Sequence, residues 1–345
     1  MSKRATMIEV ARLADVGTMT VSRVLNSSVH VSAETARRVH EAIERLGYRP
    51  NEMARGLRGA KSKSIGLIVP SLTDPFFAIC AHNVNAVAQS KGYSTIITTS
   101  NENPDTEFSE AEWMLQKHVE GLVLCPSVGR NSRFSDKIFQ RIPIISFDRP
   151  LQGSRFSSVV VDNHVGAKLG TQHLIEHGHK RILFLGDRPD LFTIRTRHQG
   201  YRRALLDAGL KTGECLDCDS EDLVFKYVKT ALAGKNPPTA FFSGNNRISR
   251  YLFRALRNLG VRVPTDIATV GFDDFDMADM MQPPLTVIRQ PVEALGKTAA
   301  EALFNQFKAK AEDWPAKGSR ITLKVELVLR SSCGCTQDAP KVIKP

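Results

Sequence analysis

A chain of 345 residues with 42% hydrophobic and 24% charged side chains is long enough for about two or three globular domains. It contains no run approaching the roughly 18 apolar residues that span a bilayer, and Met1-Ser-Lys-Arg4 is not followed by a signal-peptide core; the expected location is cytoplasmic, with no membrane contact and six reduced cysteines. The net charge is +11, and residues 1–63 carry 12 Lys and Arg against 6 Asp and Glu, an asymmetry suited to neutralising phosphates.

Thr6 and Glu9 have the spacing of a capping box, which predicts a helix from Met7 with Ile8 and Ala11 on its buried face. Asp15-Val16-Gly17 then interrupts the pattern as a three-residue turn. A second helix from Thr18 buries Val21, Val24 and Leu25 and turns Thr18, Met19, Ser22 and Arg23 outward. Polar groups, one apolar tip and a guanidinium able to fork onto guanine are what a recognition helix offers the major groove. Taken alone, the stretch also fits a plain helical hairpin with a solvated face. Ser32 is placed to cap a third helix, with Val39, Ile43 and Leu46 on one stripe, Glu34–Arg38 and Glu41–Arg45 as i,i+4 pairs, and Gly47 as its stop. The polar run Gly59 to Ser64 puts a domain boundary near residue 60.

Several motifs bear on function: Val10-Ala-Arg-Leu-Ala-Asp-Val16, Thr20-Val-Ser-Arg-Val24, Val31-Ser32, Gly47-Tyr-Arg-Pro-Asn51 and Ala54-Arg-Gly-Leu-Arg58. With them the chain resembles, over nearly its whole length, the LacI/GalR family of bacterial transcription repressors. The resemblance implies that Thr18, Met19 and Arg23 read bases, while Thr20, Ser22, Asn26, Ser32 and Thr35 approach phosphates. It adds Asn51 to the DNA-binding residues and makes Ala54 to Arg58 a hinge helix, whose Leu57 from each of two subunits wedges into a minor-groove step. Gly56 stands where relatives often have a better helix former, at a cost of about 1 kcal/mol, and predicts a hinge less ordered without DNA.

Beyond residue 64, apolar β-rich runs alternate with helical patterns: Ile65 to Val69, Ser94 to Thr99, Gly121 to Cys125, Ile144 to Phe147, Val159 to Val161, Arg181 to Leu185, Ala240 to Ser243 and Ile267 to Phe272. Such alternation predicts parallel sheets, and eight strands suggest two doubly wound lobes with a ligand at the carboxyl ends of the strands. The resemblance implies a periplasmic-binding-protein-like body, with crossings between lobes near Val161-Asp162, Ile288 to Gln290 and Gly318 to Ile321. Neither a dinucleotide fingerprint, a Walker loop, Gly-x-Ser-x-Gly nor His-Glu-x-x-His occurs, and neither enzymatic activity nor a cofactor is expected. His173 and His177 share a helix face, but no Cys or carboxylate partner lies near them in sequence; Cys215-x2-Cys218 and Cys333-x-Cys335 could make a zinc site only if adjacent in space. No metal site is expected.

Polar residues just after strands are the cleft candidates: Asp148, Asn245 with Asn246, and Asp273. Their positions match the family's effector contacts, as do Arg197 and the wall formed by Ser71, Phe76 and Phe77. Carboxylates and an amide facing an arginine, with aromatics over an apolar ring face, suit a sugar or polyol. Each Asp or Asn taken singly could equally be a helix cap or turn. The stretch Leu216 to Asp222 lacks the ring-stacking aromatic of many relatives, and Arg195, Arg197 and Arg247 concentrate positive charge, which points to a sugar acid or sugar phosphate.

The expected organisation is a helix-turn-helix headpiece over 1–48, a hinge and linker over 49–63, a two-lobed effector-binding and dimerisation body over 64–332, and a tail over 333–345. By the resemblance the protein is a homodimer on a pseudo-palindromic operator, with a small-molecule effector altering its DNA affinity. Two other classes fit the same layout: an enzyme with a fused DNA-binding head, and a regulator whose body senses a protein partner.

Overall fold

The computed structural model describes residues 5–25, 31–48, 62–127, 133–134, 136–151, 156–308, 318–335 and 341–344. Asn26, Asn51, Ala54, Leu57 and Arg58, and with them the expected hinge helix and its Gly56, lie outside the described residues. The chain divides into two compact units between Ser62 and Lys63.

The first unit holds helices α1 (Met7–Leu13), α2 (Thr18–Leu25) and α3 (Ala33–Leu46). Thr6 and Glu9 form the capping box: the Thr6 N–H donates to Glu9 Oε2 at 2.7 Å and the Glu9 N–H to Thr6 Oγ1 at 3.3 Å. Ile8 is 71% exposed, contrary to expectation, and the buried residues are Val10, Ala11 and Ala14. Val10 and Ala14, four apart, outcompete Ile8 for the face that meets Val21, Val24 and Val39. Leu25 is only half-buried. Ser32 caps α3 through the Thr35 N–H at 3.2 Å, and Gly47 ends it at φ +57, a left-handed value that glycine adopts without penalty. The ion pair this helix carries among its described residues is Arg37–Glu41 at 2.8 Å, in place of the two anticipated pairs.

The second unit contains two sheets. The first runs in the order β11-β5-β4-β3-β1-β2, built from β1 (Ser64–Val69), β2 (Ser94–Thr99), β3 (Leu122–Leu124), β4 (Ile144–Phe147), β5 (Ser157–Val161) and β11 (Arg320–Leu323). Every pairing in it is parallel. Helices α4 (Pro75–Ser90) and α10 (Val292–Gln306) pack together on one face and α5 (Pro104–Gln116) on the other. Sandwiched strands are buried on both sides and therefore read as apolar runs, as in Ile65 to Val69.

The second sheet has the order β13-β12-β10-β9-β8-β6-β7. Its strands are β6 (Ile182–Leu185), β7 (Glu214–Cys215), β8 (Ala240–Ser243), β9 (Ala268–Phe272), β10 (Thr286–Arg289), β12 (Glu326–Leu329) and β13 (Lys341–Ile343). Helices α6 (Asn163–Glu176) and α7 (Phe192–Asp207) cover one face, α8 (Glu221–Leu232) and α9 (Asn246–Asn258) the other. This sheet is mixed: β12 is antiparallel to both β10 and β13, so the expectation of purely parallel sheets fails at that edge. The supposed tail is partly structural, since β13 extends the sheet.

The chain passes between lobes three times. It leaves β5 at Val161 for α6, leaves β10 at Arg289 for α10, and passes from β11 to β12 through Lys324-Val325. The first two match the expected crossings. The third lies later than Gly318 to Ile321, because that stretch enters β11, the edge strand of the first sheet, and Val325 turns the chain into the second.

Candidate functional site

In the headpiece, α2 presents Thr18, Met19 and Arg23 as exposed side chains, with Met19 69% exposed, while Thr20 and Ser22 are half-buried. Val21 and Val24 anchor the opposite side, so the exposed groups share one helix face. Ser32 and Thr35 sit at the start of α3, where Ser32 Oγ donates to Thr35 Oγ1 at 2.9 Å. The first turn of that helix leaves backbone N–H groups that suit a phosphate.

In the body, a cavity of about 420 Å³ opens at the carboxyl ends of strands from both sheets. Ser71, Phe76, Phe77, Asp148, Arg197, Asn245 and Asp273 all line it. Asp74 caps α4 by accepting from the Phe76 N–H at 3.0 Å, which fixes the turn that carries both aromatics. Phe76 and Phe77 are buried and meet edge to face at 5.0 Å, forming an apolar wall with Leu191 and Ile194.

Arg197, 3% exposed, organises the second-lobe side. Its Nε donates to Asn163 Oδ1 at 2.7 Å, and one terminal nitrogen donates to the Gly244 carbonyl at 2.8 Å and lies 3.6 Å from Asp273 Oδ1. The guanidinium also stacks 3.8 Å from the Phe272 ring centroid. It reaches these partners because α6 and α7 approach closely at Gly200, where a Cβ would overlap the His164 carbonyl oxygen. Asp273 accepts from the Asn246 N–H at 3.1 Å and from Gln290. Burial raises the Asp273 carboxyl above its ordinary range, partly offset by the Arg197 charge.

The first-lobe side has a parallel arrangement. Asp148 follows β4 as Asp273 follows β9, and both adopt left-handed backbone, at φ +63 and +79. Burial likewise raises the Asp148 carboxyl, with Arg149 pulling the other way. Arg149 makes two bonds of 2.8 Å to Glu102 and one of 3.1 Å to the Pro126 carbonyl. A direct link joins the lobes: Asn246 Nδ2 donates to Asp74 Oδ1 at 3.1 Å.

Sequence reasoning did not select Asp74, Glu102, Arg149, Asp187, Arg250 or Gln290, all of which line the cavity. Asp187 pairs with Arg247 and accepts from Asn245 Nδ2 at 2.8 Å, contacts some 60 residues apart in sequence. Its only local signal is its place just after β6. Arg195 is exposed, donates to the Asp190 carbonyl at 3.3 Å and is not part of the lining, so it adds no positive charge to the cavity. The stretch Leu216 to Asp222 also lies outside the lining.

The charges in the cavity balance. Five arginines (Arg149, Arg188, Arg197, Arg247 and Arg250) face five carboxylates (Asp74, Glu102, Asp148, Asp187 and Asp273). Four of the arginines lie within ion-pair distance of a carboxylate. Arg197 and Arg247 are thus neutralised within the fold, whereas Arg188 pairs with Asp190 outside the lining and Arg250 has no ion pair among the described residues.

Residues 6–51 match the family model for bacterial regulatory proteins of the lacI family, and residues 171–333 match the periplasmic binding protein-like domain. The HTH-type transcriptional repressor PurR of Photobacterium profundum is 32% identical over 337 residues, which cover 95% of this chain and 98% of that protein. The chain belongs to the lacI family. The Ribose operon repressor of Escherichia coli (strain K12) is 33% identical over 88% of this chain and 93% of its own length. Among solved structures of the family, the Lac repressor dimer bound to operator and the anti-inducer ONPF aligns with a TM-score of 0.84 at 26% identity, over 96% of this chain and 99% of that one. As a lacI-family member the protein is a DNA-binding transcription regulator with an effector-binding body. No helix among the described residues is long and apolar enough to cross a membrane.

Proposed function

We propose that the protein is a cytoplasmic homodimeric repressor without enzymatic activity, whose operator affinity is set by a neutral sugar or polyol bound between the lobes. The pairing of Arg149, Arg197 and Arg247 with carboxylates of the cavity carries the choice of ligand. An anionic group approaching Arg149, Arg197 or Arg247 would have to displace a carboxylate already paired, whereas hydroxyls can bridge paired charges by donating to one partner and accepting from the other. Gln290 Oε1, buried without a hydrogen-bond partner among the described residues, would accept from one such hydroxyl. Phe76 and Phe77 would cover the apolar ring face, and Ser71, Asp148, Arg197, Asn245 and Asp273 would supply the polar contacts. The carboxylates are held by Arg149, Asn246 and Gln290, which suits binding more than proton transfer.

On DNA, Thr18, Met19 and Arg23 would read base edges, with Thr20, Ser22, Ser32 and Thr35 at phosphates. Two such headpieces on a dimer require a site with matching two-fold symmetry. The Lac repressor neighbour was solved as a dimer on operator, and the E. coli relative is named for the ribose operon. Effector and DNA then influence one another reciprocally, each favouring one arrangement of the lobes.

The test has two parts. Fragments of the source genome are selected on the purified protein near physiological salt, and enrichment of a pseudo-palindrome is expected; no enrichment, with and without cell metabolites, would overturn the regulator reading. Neutral pentoses, hexoses and polyols are then compared with the matching sugar acids and phosphates by thermal unfolding. A neutral ligand at 100 times its dissociation constant should stabilise the protein by about 2.7 kcal/mol. Stabilisation by the charged compounds alone would reject a neutral effector.

A further inference from the structure

The second lobe brings together four side chains that no role described so far uses. His173 on α6 and His177, the residue that caps its carboxyl end, lie four residues apart with ring centroids 4.3 Å apart. Cys333 and Cys335 follow β12 and come back against that helix. The donor atoms of His173, Cys333 and Cys335 all lie within 4.8 Å of one another. Cys335 Sγ is 3.6 Å from His173 Nε2 and 3.2 Å from His177 Nε2. From these positions we infer a binding site for a thiophilic divalent ion of the zinc type, with His173, Cys333 and Cys335 as ligands and His177 closing the solvent side.

The two sulfur–nitrogen spacings at Cys335 suit such an ion. Bonds of about 2.0 Å to nitrogen and 2.3 Å to sulfur in tetrahedral geometry set the donor atoms roughly 3.3–3.8 Å apart. Both measured sulfur–nitrogen distances lie close to that range. His177 is also held in the tautomer a ligand needs. Its Nδ1 lies 2.9 Å from the His173 carbonyl oxygen, which can only accept, so Nδ1 carries the proton and the lone pair of Nε2 faces Cys335. A backbone carbonyl on the second ring nitrogen is the usual support of a ligating imidazole.

The sulfur side is prepared in a similar way. Thr286 Oγ1 lies 3.2 Å from Cys333 Sγ and can donate to it, while the Cys333 thiol donates to the Arg330 carbonyl at 3.4 Å. On metal binding each thiol gives up its proton to solvent; the Thr286 bond then supports the thiolate, and the Arg330 carbonyl loses a weak donor. Gly334 between the cysteines sits at φ +93, backbone that a side chain would disfavour, and this turn brings both sulfurs against α6. The other cysteine pair belongs elsewhere: Cys218 is buried in the core beneath α8 and α9, on the opposite face of the sheet from Cys333.

Cobalt(II) reports the site directly, because thiolate ligands give a charge-transfer band and tetrahedral geometry gives intense visible bands. The full-length protein is stripped with a chelating resin under reductant and titrated with Co²⁺, then with Zn²⁺ to displace it. One equivalent of tetrahedral, thiolate-bound Co²⁺ per chain is expected, with Cys333 and Cys335 shielded from alkylation. Cys335→Ser should remove the charge transfer from that sulfur and weaken zinc binding by at least about 10–100-fold. His177→Ala, at an exposed position that should not disturb folding, weakens zinc binding while the melting temperature of the stripped protein stays at the parent value. A Cys215→Ser/Cys218→Ser double variant should bind as the parent does. The inference fails if no tetrahedral spectrum develops, if the spectrum is unchanged in Cys335→Ser, or if it disappears with Cys215 and Cys218.

Discussion

Replacing Arg197 by Met keeps much of the side-chain volume and removes the charge that crosslinks α6, β8 and β9. Arg197 is 3% exposed, and its loss leaves the buried Asp273 without its cation and the Asn163 amide oxygen and Gly244 carbonyl without a donor. Breaking a buried charge pair from one side costs about 3–5 kcal/mol. Asp273 keeps its bonds from the Asn246 N–H and Gln290, which places the expected loss near the lower end, about 3 kcal/mol. A domain of this size shifts by roughly 2–4 °C per kcal/mol, so the body should melt about 6–12 °C lower.

The pH dependence separates this cause from simple loss of packing. The folded-state pKa of Asp273 is raised by burial, so its proton binds the folded protein more tightly than the unfolded chain. Its contribution to stability is fully present below the unfolded carboxyl value and is lost as pH rises through the folded value. Arg197 now moderates that loss, and without it the folded value climbs further. The deficit of Arg197→Met should therefore be greatest at neutral pH and shrink on acidification. Thermal unfolding of Arg197→Met, Asp273→Asn and the double variant across this range gives the coupling, expected at about 1–3 kcal/mol. A coupling under about 0.5 kcal/mol, or a deficit independent of pH, would refute the reasoning.

Three further outcomes follow from the fold. Arg23→Met should cost about 1–3 kcal/mol on the selected operator and much less on non-specific DNA, measured by titration at fixed salt; an equal loss on both would make Arg23 a phosphate contact. Ser32→Ala removes the α3 cap and should destabilise the headpiece by about 1 kcal/mol, seen as faster amide exchange in α3 while exchange in the body is unchanged. Gly200→Ala forces α6 and α7 apart at the His164 carbonyl and should lower both thermal stability and affinity for whichever sugar stabilises the parent; full retention of both would show that the helices separate at no cost.

Features set by local chemistry were legible in the sequence. The Thr6–Glu9 box, the Ser32 cap, the Gly47 stop and the apolar parallel strands each follow from a few adjacent residues, and each forms as read. The residues selected for the cleft share one cavity lining because open α/β sheets gather their strand ends there. What escaped was decided by partners far along the chain. Ile8 and Val10 are equally apolar, and only the packing of three helices exposes the first and buries the second. Arg247 looked like free charge because its partner Asp187 lies 60 residues away, and Arg149 went unselected with its partner Glu102 47 residues away. The edge strands β7 and β13 and their neighbour β12 are short, begin with Glu or Lys, and gave no clear period. His173 and Cys335 are 162 residues apart, a distance no spacing rule spans.

Helix α6 begins at the first crossing between lobes, where Asp162 caps it and Asn163 holds Arg197, and it ends beside the carboxyl-terminal cysteines. Fourteen residues of α-helix span about 21 Å. The contact to the cleft arginine and the imidazoles beside Cys335 thus sit at opposite ends of one helix. A rigid-body rotation of this helix would displace both sets of contacts together, and a metal held by the imidazoles would oppose it.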